Sequence, residues 1–135
     1  PKWIAEGRPV TDDPPQPRER HFTARLDTTL IRDVGQVTRL IDSKAEQIVD
    51  ARAAPRFRGE APEPRPNLRL GHMPGALNMP YTELIDSKTG TMLPDAALKA
   101  KLAAAGIDPA KKVTASCGSG VSACVVALAL YLTGA

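Results

Sequence analysis

The residues best suited to chemistry are a cysteine and the three small residues that follow it, Cys117, Gly118, Ser119 and Gly120. A short β-prone segment, residues 113–115, precedes them, and residues 124–132 form an apolar run long enough for a helix. Cys117 is therefore predicted to lie where a strand gives way to a helix. Backbone N–H groups without helical partners converge at such a loop, and the helix dipole adds positive potential. Because these groups stabilise a thiolate, we expect Cys117 to have a lowered pKa and to act as a nucleophile.

The two cysteines of the chain are predicted to have different roles. Free cysteine is among the most buried residue types, so a cysteine beside an apolar helix more often belongs to the packing than to the chemistry. Cys124 falls inside the apolar run, and we assign it to the core. Cys117 lies beside glycines, which permit positive φ and close approach of the backbone to a bound group. These neighbours favour a functional Cys117.

A proline-rich segment, residues 55–74, contains a second group of candidates. Its five prolines make regular structure implausible, and a loop of this length inside a compact domain is usually functional. Guanidinium groups can hold a small carboxylate through paired hydrogen bonds. The segment contains Arg56, Arg58, Arg65 and Arg69. Charge alone would still favour a solvated basic loop.

The two histidines are assigned neither to catalysis nor to a metal site. His72 lies in a Gly-His-x-Pro-Gly turn, where the imidazole more often satisfies backbone groups in the bend. His21 lies in a weakly patterned stretch. With two histidines, two cysteines and no ligand spacing between them, no metal site is predicted. No cofactor is predicted, and no lysine follows Gly120 as a nucleotide-binding loop requires.

The elements that must position these residues alternate between helix and strand. Helices are predicted over residues 34–43, 81–85 and 94–105, and strands over residues 47–49, 77–79 and 113–115. This alternation predicts an α/β domain in which helices cover both faces of a mostly parallel sheet. Asp50 and Arg52 follow the first strand, at the sheet edge where open α/β folds collect ligands. We interpret them as a structural ion pair.

Composition limits the possible functions. The chain has 135 residues, 42% of them hydrophobic, and can bury one ordinary core. The net charge is +3, but 18 basic residues are interspersed with 15 acidic ones and aromatics are 4%, which argues against a nucleic-acid groove. The longest apolar run, residues 121–132, is too short to span a bilayer, so no membrane association is expected. A free reactive thiol fits a reducing, cytoplasmic compartment.

Several motifs resemble the rhodanese superfamily. The loop of residues 117–122 is similar to the Cys-Gly-Ser-Gly-Val-Thr active-site loop of its mercaptopyruvate branch, with Ser122 in place of threonine. Residues 71–76 resemble the Gly-His-Ile-Pro-Gly-Ala motif of the superfamily, with Met73 in place of isoleucine. Residues 49–52, 56–59 and 62–65 also match the mercaptopyruvate branch. The resemblance covers most of residues 31–134.

The resemblance implies a rhodanese-like α/β fold and a sulfurtransferase that uses 3-mercaptopyruvate as donor and a thiol or cyanide as acceptor. It implies a persulfide on Cys117, and a carboxylate contact by the arginines that match the family's substrate-binding pair, Arg56 and Arg65. The expected loop contacts to substrate are Gly118, Ser119, Gly120, Val121 and Ser122. The resemblance also implies that Ser119 connects to a histidine and an aspartate of a preceding domain.

Three other functions compete with this one. Thiosulfate sulfurtransferases of the same fold usually have basic residues after the cysteine, whereas Gly118 and Ser119 are uncharged. A cysteine-dependent phosphatase needs an arginine six positions on, where this chain has Ala123. A non-catalytic rhodanese-like binding module commonly lacks the cysteine. Mercaptopyruvate is therefore the favoured donor, and thiosulfate the alternative.

The resemblance also predicts how the domains are arranged. Residues 1–20 resemble the tail of a first domain, with a Trp-bearing helix, followed by a proline-rich linker. Residues 21–135 are expected to be the catalytic domain, truncated before the family's last segment. The expected partners are an N-terminal rhodanese domain of the same protein, the small sulfur donor and a thiol acceptor, for which a thioredoxin-like protein is the candidate.

Overall fold

The computed structural model describes residues 2–134. Pro1 and Ala135, which the sequence analysis assigns to the first domain's tail and to the end of the catalytic domain, lie outside the described residues. The helices are α1 (Lys2–Ala5), α2 (Val34–Ser43), α3 (Ala54–Phe57), α4 (Asp95–Ala104) and α5 (Val121–Thr133), and the strands are β1 (Gln47–Asp50), β2 (Leu77–Asn78) and β3 (Val113–Ser116). Two short 3-10 helices span Thr28–Leu30 and Tyr81–Leu84.

The three strands form a parallel sheet with β1 in the centre, between β2 and β3. In the register of this sheet, Asp50 at the end of β1 lies opposite Ser116 at the end of β3. The Ala51 N–H extends the ladder by donating to the Ser116 carbonyl at 2.8 Å. The carboxyl ends of β1 and β3 therefore bring residues 50–52 beside Cys117.

Alternate residues of β1 face opposite sides of the sheet. Val49 is fully buried in the main core, against α4 and α5. Ile48 is 4% exposed and lines a cavity together with Leu40 and Ile41 of α2. The sheet therefore has α4 and α5 on one face and α2 on the other, which confirms the predicted α/β architecture.

The last helix, α5, is less buried than the sequence predicts. Ala123, Val126 and Leu130 recur at helical spacing and point into the core. The opposite side of α5 is open, and Tyr131 is 75% exposed. Cys124 lies on this open side, so its assignment to the core is wrong. Because α5 is nearly all apolar, it has no polar stripe to mark its outer face. The sequence pattern therefore could not show which face of α5 carries Cys124.

The other predicted helices and strands lie within one or two residues of the observed ones, although the helix predicted over residues 81–85 is the 3-10 helix Tyr81–Leu84. The proline-rich segment differs at its start. Residues 55–74 are irregular as expected, but the segment begins inside α3 (Ala54–Phe57). Pro55 lies in the first turn of this helix, where its missing N–H costs no hydrogen bond. The expectation of no regular structure was therefore wrong at the start of the segment.

Residues 2–31 are all exposed. The short helix α1 contains Trp3, whose Nε1 donates to the Pro9 carbonyl at 2.9 Å. Between residues 21 and 33, the regular element is the 3-10 helix Thr28–Leu30, capped by the Asp27 side chain. Within residues 2–134, no helix has both the length and the apolar character needed to cross a membrane. The division at residue 20 stays a prediction.

Candidate active site

Cys117 directly follows β3, and residues 118–120 separate it from α5, so it lies between a strand and a helix as the sequence predicts. The chain turns at Gly120, whose φ of +91° is a conformation that side-chain-bearing residues rarely adopt. This turn brings the amide of Gly120 back to the cysteine, where its N–H donates to Sγ of Cys117 at 3.0 Å. The glycine is therefore required by the geometry that places a donor on the sulfur.

The sulfur of Cys117 is surrounded by further donors. Burial raises the pKa of the Cys117 thiol, but hydrogen bonds from the Ser122 hydroxyl and from the amides of Ser119, Ala123 and Gly120 outweigh burial and lower the pKa to about 7. At pH 7 about half of such thiols are ionised, against a few per cent of ordinary ones. The hydrogen bonds around the sulfur therefore lower the pKa of Cys117, as the sequence predicts.

Cys117 is half-buried and also packs against the hydrophobic core. The core contact fixes the side chain, while the loop amides converge on the sulfur. Of the other predicted loop residues, Ser122 is half-buried, whereas Gly118 and Ser119 are exposed and Val121 is 75% exposed. The outer face of the loop is therefore open to a small ligand.

Arg56 lies against the cysteine loop. A Cβ atom built on Gly118 would be 3.2 Å from Nη2 of Arg56, which is tighter than an ordinary contact. The guanidinium therefore occupies space that a side chain at residue 118 would need. Helix α3 carries Arg56 to this place. The structure thus brings one of the two predicted carboxylate-binding arginines beside Cys117.

Arg65 lies elsewhere in the same segment. It is exposed, and within residues 2–134 it forms no hydrogen bond or ion pair. Its role as a carboxylate ligand stays a prediction. Arg58 pairs with Glu60 on the surface at 2.8 Å, and Arg69 is exposed.

An ion-pair network behind Arg56 contains a residue that the sequence analysis missed. Glu63 accepts hydrogen bonds from Arg56 at 2.5 Å and from Arg52 at 2.8 Å. Arg52 in turn donates to Asp50 at 2.6 Å, which confirms the predicted ion pair. The hydrogen bond from Arg56 and the charges of both arginines hold the pKa of Glu63 below its usual value. The position of Glu63 between two prolines in an arginine-rich segment was the available signal.

His72 closes the long loop. Its Nδ1 lies 2.7 Å from the Phe57 carbonyl, and its ring stacks on the Phe57 ring with centroids 3.6 Å apart. These contacts join the end of the proline-rich segment to the end of α3. The imidazole therefore serves the bend, as predicted.

Comparison with known proteins gives consistent matches. Residues 33–135 match the family model described as a rhodanese-like domain. Two curated relatives are the human 3-mercaptopyruvate sulfurtransferase, 36% identical over 98% of this chain and 44% of its own length, and the chicken thiosulfate sulfurtransferase, 40% identical over 98% and 45%. The chain thus spans less than half the length of these relatives.

A solved structure agrees with the sequence matches. The crystal structure of SseA from Escherichia coli, described as a 3-mercaptopyruvate sulfotransferase with the rhodanese fold, superposes with a TM-score of 0.83 at 34% identity. The superposition covers 97% of this chain and 48% of the SseA chain. The family model matches most of the sequence, and the fold has a parallel sheet with Cys117 directly after an edge strand. The chain therefore belongs to the rhodanese-like domain family.

Proposed function

We propose that this chain is a sulfurtransferase domain that moves a sulfane sulfur from 3-mercaptopyruvate to a thiol or cyanide acceptor through a persulfide on Cys117. The observation that carries the proposal is the set of donors on the sulfur, in which the Gly120 amide lies 3.0 Å from Sγ. Such donors stabilise the thiolate that must attack, and they lower the pKa of Cys117 to about 7.

In the first step, the Cys117 thiolate attacks the sulfur of 3-mercaptopyruvate. A sulfur–sulfur bond forms, the carbon–sulfur bond breaks, and its electron pair stays on carbon as the enolate of pyruvate. The enolate takes up a proton and leaves as pyruvate. The step needs no outside oxidant or reductant, because the donor supplies the sulfur and carries away the electron pair.

In the second step, an acceptor thiolate or cyanide attacks the outer sulfur of the persulfide and releases the Cys117 thiolate. Between the two steps, the terminal sulfur of the persulfide is an anion. Preorganised amides and hydroxyls are most effective where such charge develops. The amides of residues 119, 120 and 123 and the Ser122 hydroxyl already point at the site.

Arg56 supports a carboxylate-bearing donor. Its Nη2 lies against Gly118 of the cysteine loop, and a guanidinium pairs with a carboxylate through two parallel hydrogen bonds. Arg65 would join Arg56 only if its exposed side chain turned toward the loop. The uncharged Gly118 and Ser119 leave room for a keto acid without adding positive charge for a dianion.

Thiosulfate is the second candidate donor, since several curated relatives are named thiosulfate sulfurtransferase, among them the chicken protein at 40% identity. A binding module without catalysis is disfavoured, because the loop directs several hydrogen-bond donors at the sulfur of Cys117. The proposed partners are an N-terminal rhodanese domain of the same protein and a thiol acceptor of the thioredoxin-like kind.

The proposed compartment is the cytoplasm. The support is chemical, since Cys117 and Cys124 are both free and a reactive thiol needs a reducing environment.

Turnover with cyanide tests the proposal. The wild-type chain is expected to form thiocyanate from 3-mercaptopyruvate, and Cys117→Ser is expected to form none. Cys124→Ser is the matched control, because Cys124 is a free cysteine on the exposed face of α5, and it should retain wild-type turnover. Equal activity in wild type and Cys117→Ser would refute the persulfide route, and activity with thiosulfate alone would replace the proposed donor.

A further inference from the structure

We propose that Glu63 is a positioning residue that orients Arg56 for the carboxylate of the sulfur donor. The inference rests on the proposed transfer of sulfur from a keto acid to Cys117. It adds a residue that touches neither the sulfur nor the donor and that acts through the guanidinium it holds.

Glu63 binds one edge of Arg56. The Nε and Nη2 atoms of Arg56 lie 3.3 and 2.5 Å from the two carboxylate oxygens of Glu63. The Glu63 side chain is 5% exposed and that of Arg56 is 26% exposed, so water competes weakly for the carboxylate. A guanidinium held along this edge loses most of its rotational freedom, and its direction is then fixed by Glu63.

The contact leaves the other edge of Arg56 open. Within residues 2–134, Nη1 of Arg56 donates to no protein acceptor. Nη2 has two hydrogens and donates one of them to Glu63, so the Nη1–Nη2 edge can still bind a second carboxylate end-on. This same end of the side chain lies against Gly118, next to Cys117. Glu63 thus presents the free edge of Arg56 at the cysteine loop.

Glu63 is itself anchored to the sheet. Its Oε1 accepts from Nη1 of Arg52 at 2.8 Å, and Nη2 of Arg52 donates to the Gly71 carbonyl at 2.7 Å and to Asp50 at 2.6 Å. Asp50 is 2% exposed and ends β1, opposite the last residue of β3. The chain of ion pairs therefore fixes Arg56 relative to the carboxyl end of β3, which Cys117 directly follows.

The electrostatic effect of Glu63 opposes its geometric effect. Replacing Glu63 with a neutral residue removes a negative charge close to the donor site, and the extra positive charge attracts any anion. Mercaptopyruvate would lose the oriented two-bond contact but gain some attraction. Thiosulfate has no planar carboxylate and would mainly gain attraction. A positioning role therefore predicts a change in donor preference, which a general loss of folding would not produce.

The test is Glu63→Gln, with Glu60→Gln as the matched control. Glu60 lies in the same segment and also pairs with an arginine, but its side chain is 55% exposed. Turnover with each donor is measured in wild type and both variants. For Glu63→Gln we expect kcat/KM with 3-mercaptopyruvate to fall about tenfold, mainly through KM, because a charge-assisted hydrogen bond is lost. The value with thiosulfate should stay at the wild-type level or rise, and Glu60→Gln should match wild type with both donors.

A double-mutant cycle shows whether Glu63 acts through Arg56. In an Arg56→Ala background, Glu63→Gln is expected to cause no further loss of mercaptopyruvate turnover. Should Glu63→Gln prove unfolded, Glu63→Asp keeps the charge but shortens the side chain, and it should show a smaller loss with the same donor preference. Equal losses with both donors, or full additivity with Arg56→Ala, would overturn the inference. A wild-type chain that takes no sulfur from mercaptopyruvate would instead refute the proposed function, and this inference with it.

Discussion

Replacing Ser122 with alanine is expected to return the Cys117 thiol toward ordinary acidity. The Ser122 hydroxyl gives the largest of the four hydrogen-bond contributions that lower the pKa of Cys117 to about 7. Alanine keeps the helix intact, because it has the highest helix propensity and Ser122 lies inside α5. The change therefore removes one donor from the sulfur and leaves the turn at Gly120 in place.

The magnitude follows from the size of the shift. An ordinary thiol has a pKa of about 8.5. Full return to that value would lower the thiolate fraction at pH 6 about thirtyfold. Losing only a quarter of the shift would lower it about twofold. Because Ser122 contributes more than each of the three amides, we expect a loss of about three- to tenfold at pH 6.

The assay is the pH dependence of Cys117 alkylation by iodoacetamide, in a Cys124→Ser background that leaves one thiol. Because the pKa of Cys117 is lowered to about 7, its thiolate is present down to about pH 7 and is lost as the pH falls further. The Ser122→Ala curve should move to higher pH, whereas Val121→Ala, an exposed neighbour, should leave it unchanged. The midpoint is compared, because intrinsic nucleophilicity also changes with the pKa. Superimposable curves for wild type and Ser122→Ala would refute the reasoning.

Three further predictions concern the arginines and the ion pairs behind them. Arg56→Ala is expected to lower kcat/KM for 3-mercaptopyruvate about tenfold or more and to affect thiosulfate less, because the lost contact is with the carboxylate. Arg58→Ala is the exposed control. Equal losses with both donors would contradict the assignment of Arg56 to the carboxylate. If Arg65 also binds the carboxylate, Arg65→Ala should show the same donor preference, and unchanged kinetics would remove it from the site. Asp50→Asn should lower the free energy of unfolding by about 3 kcal/mol, because it removes the charge of one of the two carboxylates that pair with the buried Arg52. Asp95→Asn breaks an exposed pair and should cost below about 1 kcal/mol, and similar urea denaturation midpoints for the two variants would refute this account.

The elements that position the cysteine could be predicted because their signals are local. A β-prone segment, a glycine-rich turn and an apolar run occupy consecutive positions, and the observed strand, turn and helix follow the same order. Gly106, which follows α4 closely, has a φ of +73° that favours glycine. Patterns of this kind report backbone preferences, which the fold did not override here.

The parts that the sequence did not reveal depend on contacts between distant residues. Glu63 gains its place from Arg52 and Arg56, eleven and seven positions away, and the irregular chain between them has no periodicity from which such a contact could be inferred. The assignment of Cys124 to the core was wrong for a different reason. Its helix is apolar on every side, so only the packing of the whole domain decides which face is open.

Direct detection of the persulfide tests the central claim most closely. The Cys124→Ser chain is mixed with one equivalent of 3-mercaptopyruvate without an acceptor, and the intact mass, the modified peptide and the released pyruvate are measured. The account predicts one added sulfur atom on Cys117 and an equal amount of pyruvate. Pyruvate release without sulfur on Cys117, or sulfur that Cys117→Ser still acquires elsewhere in the chain, would contradict it.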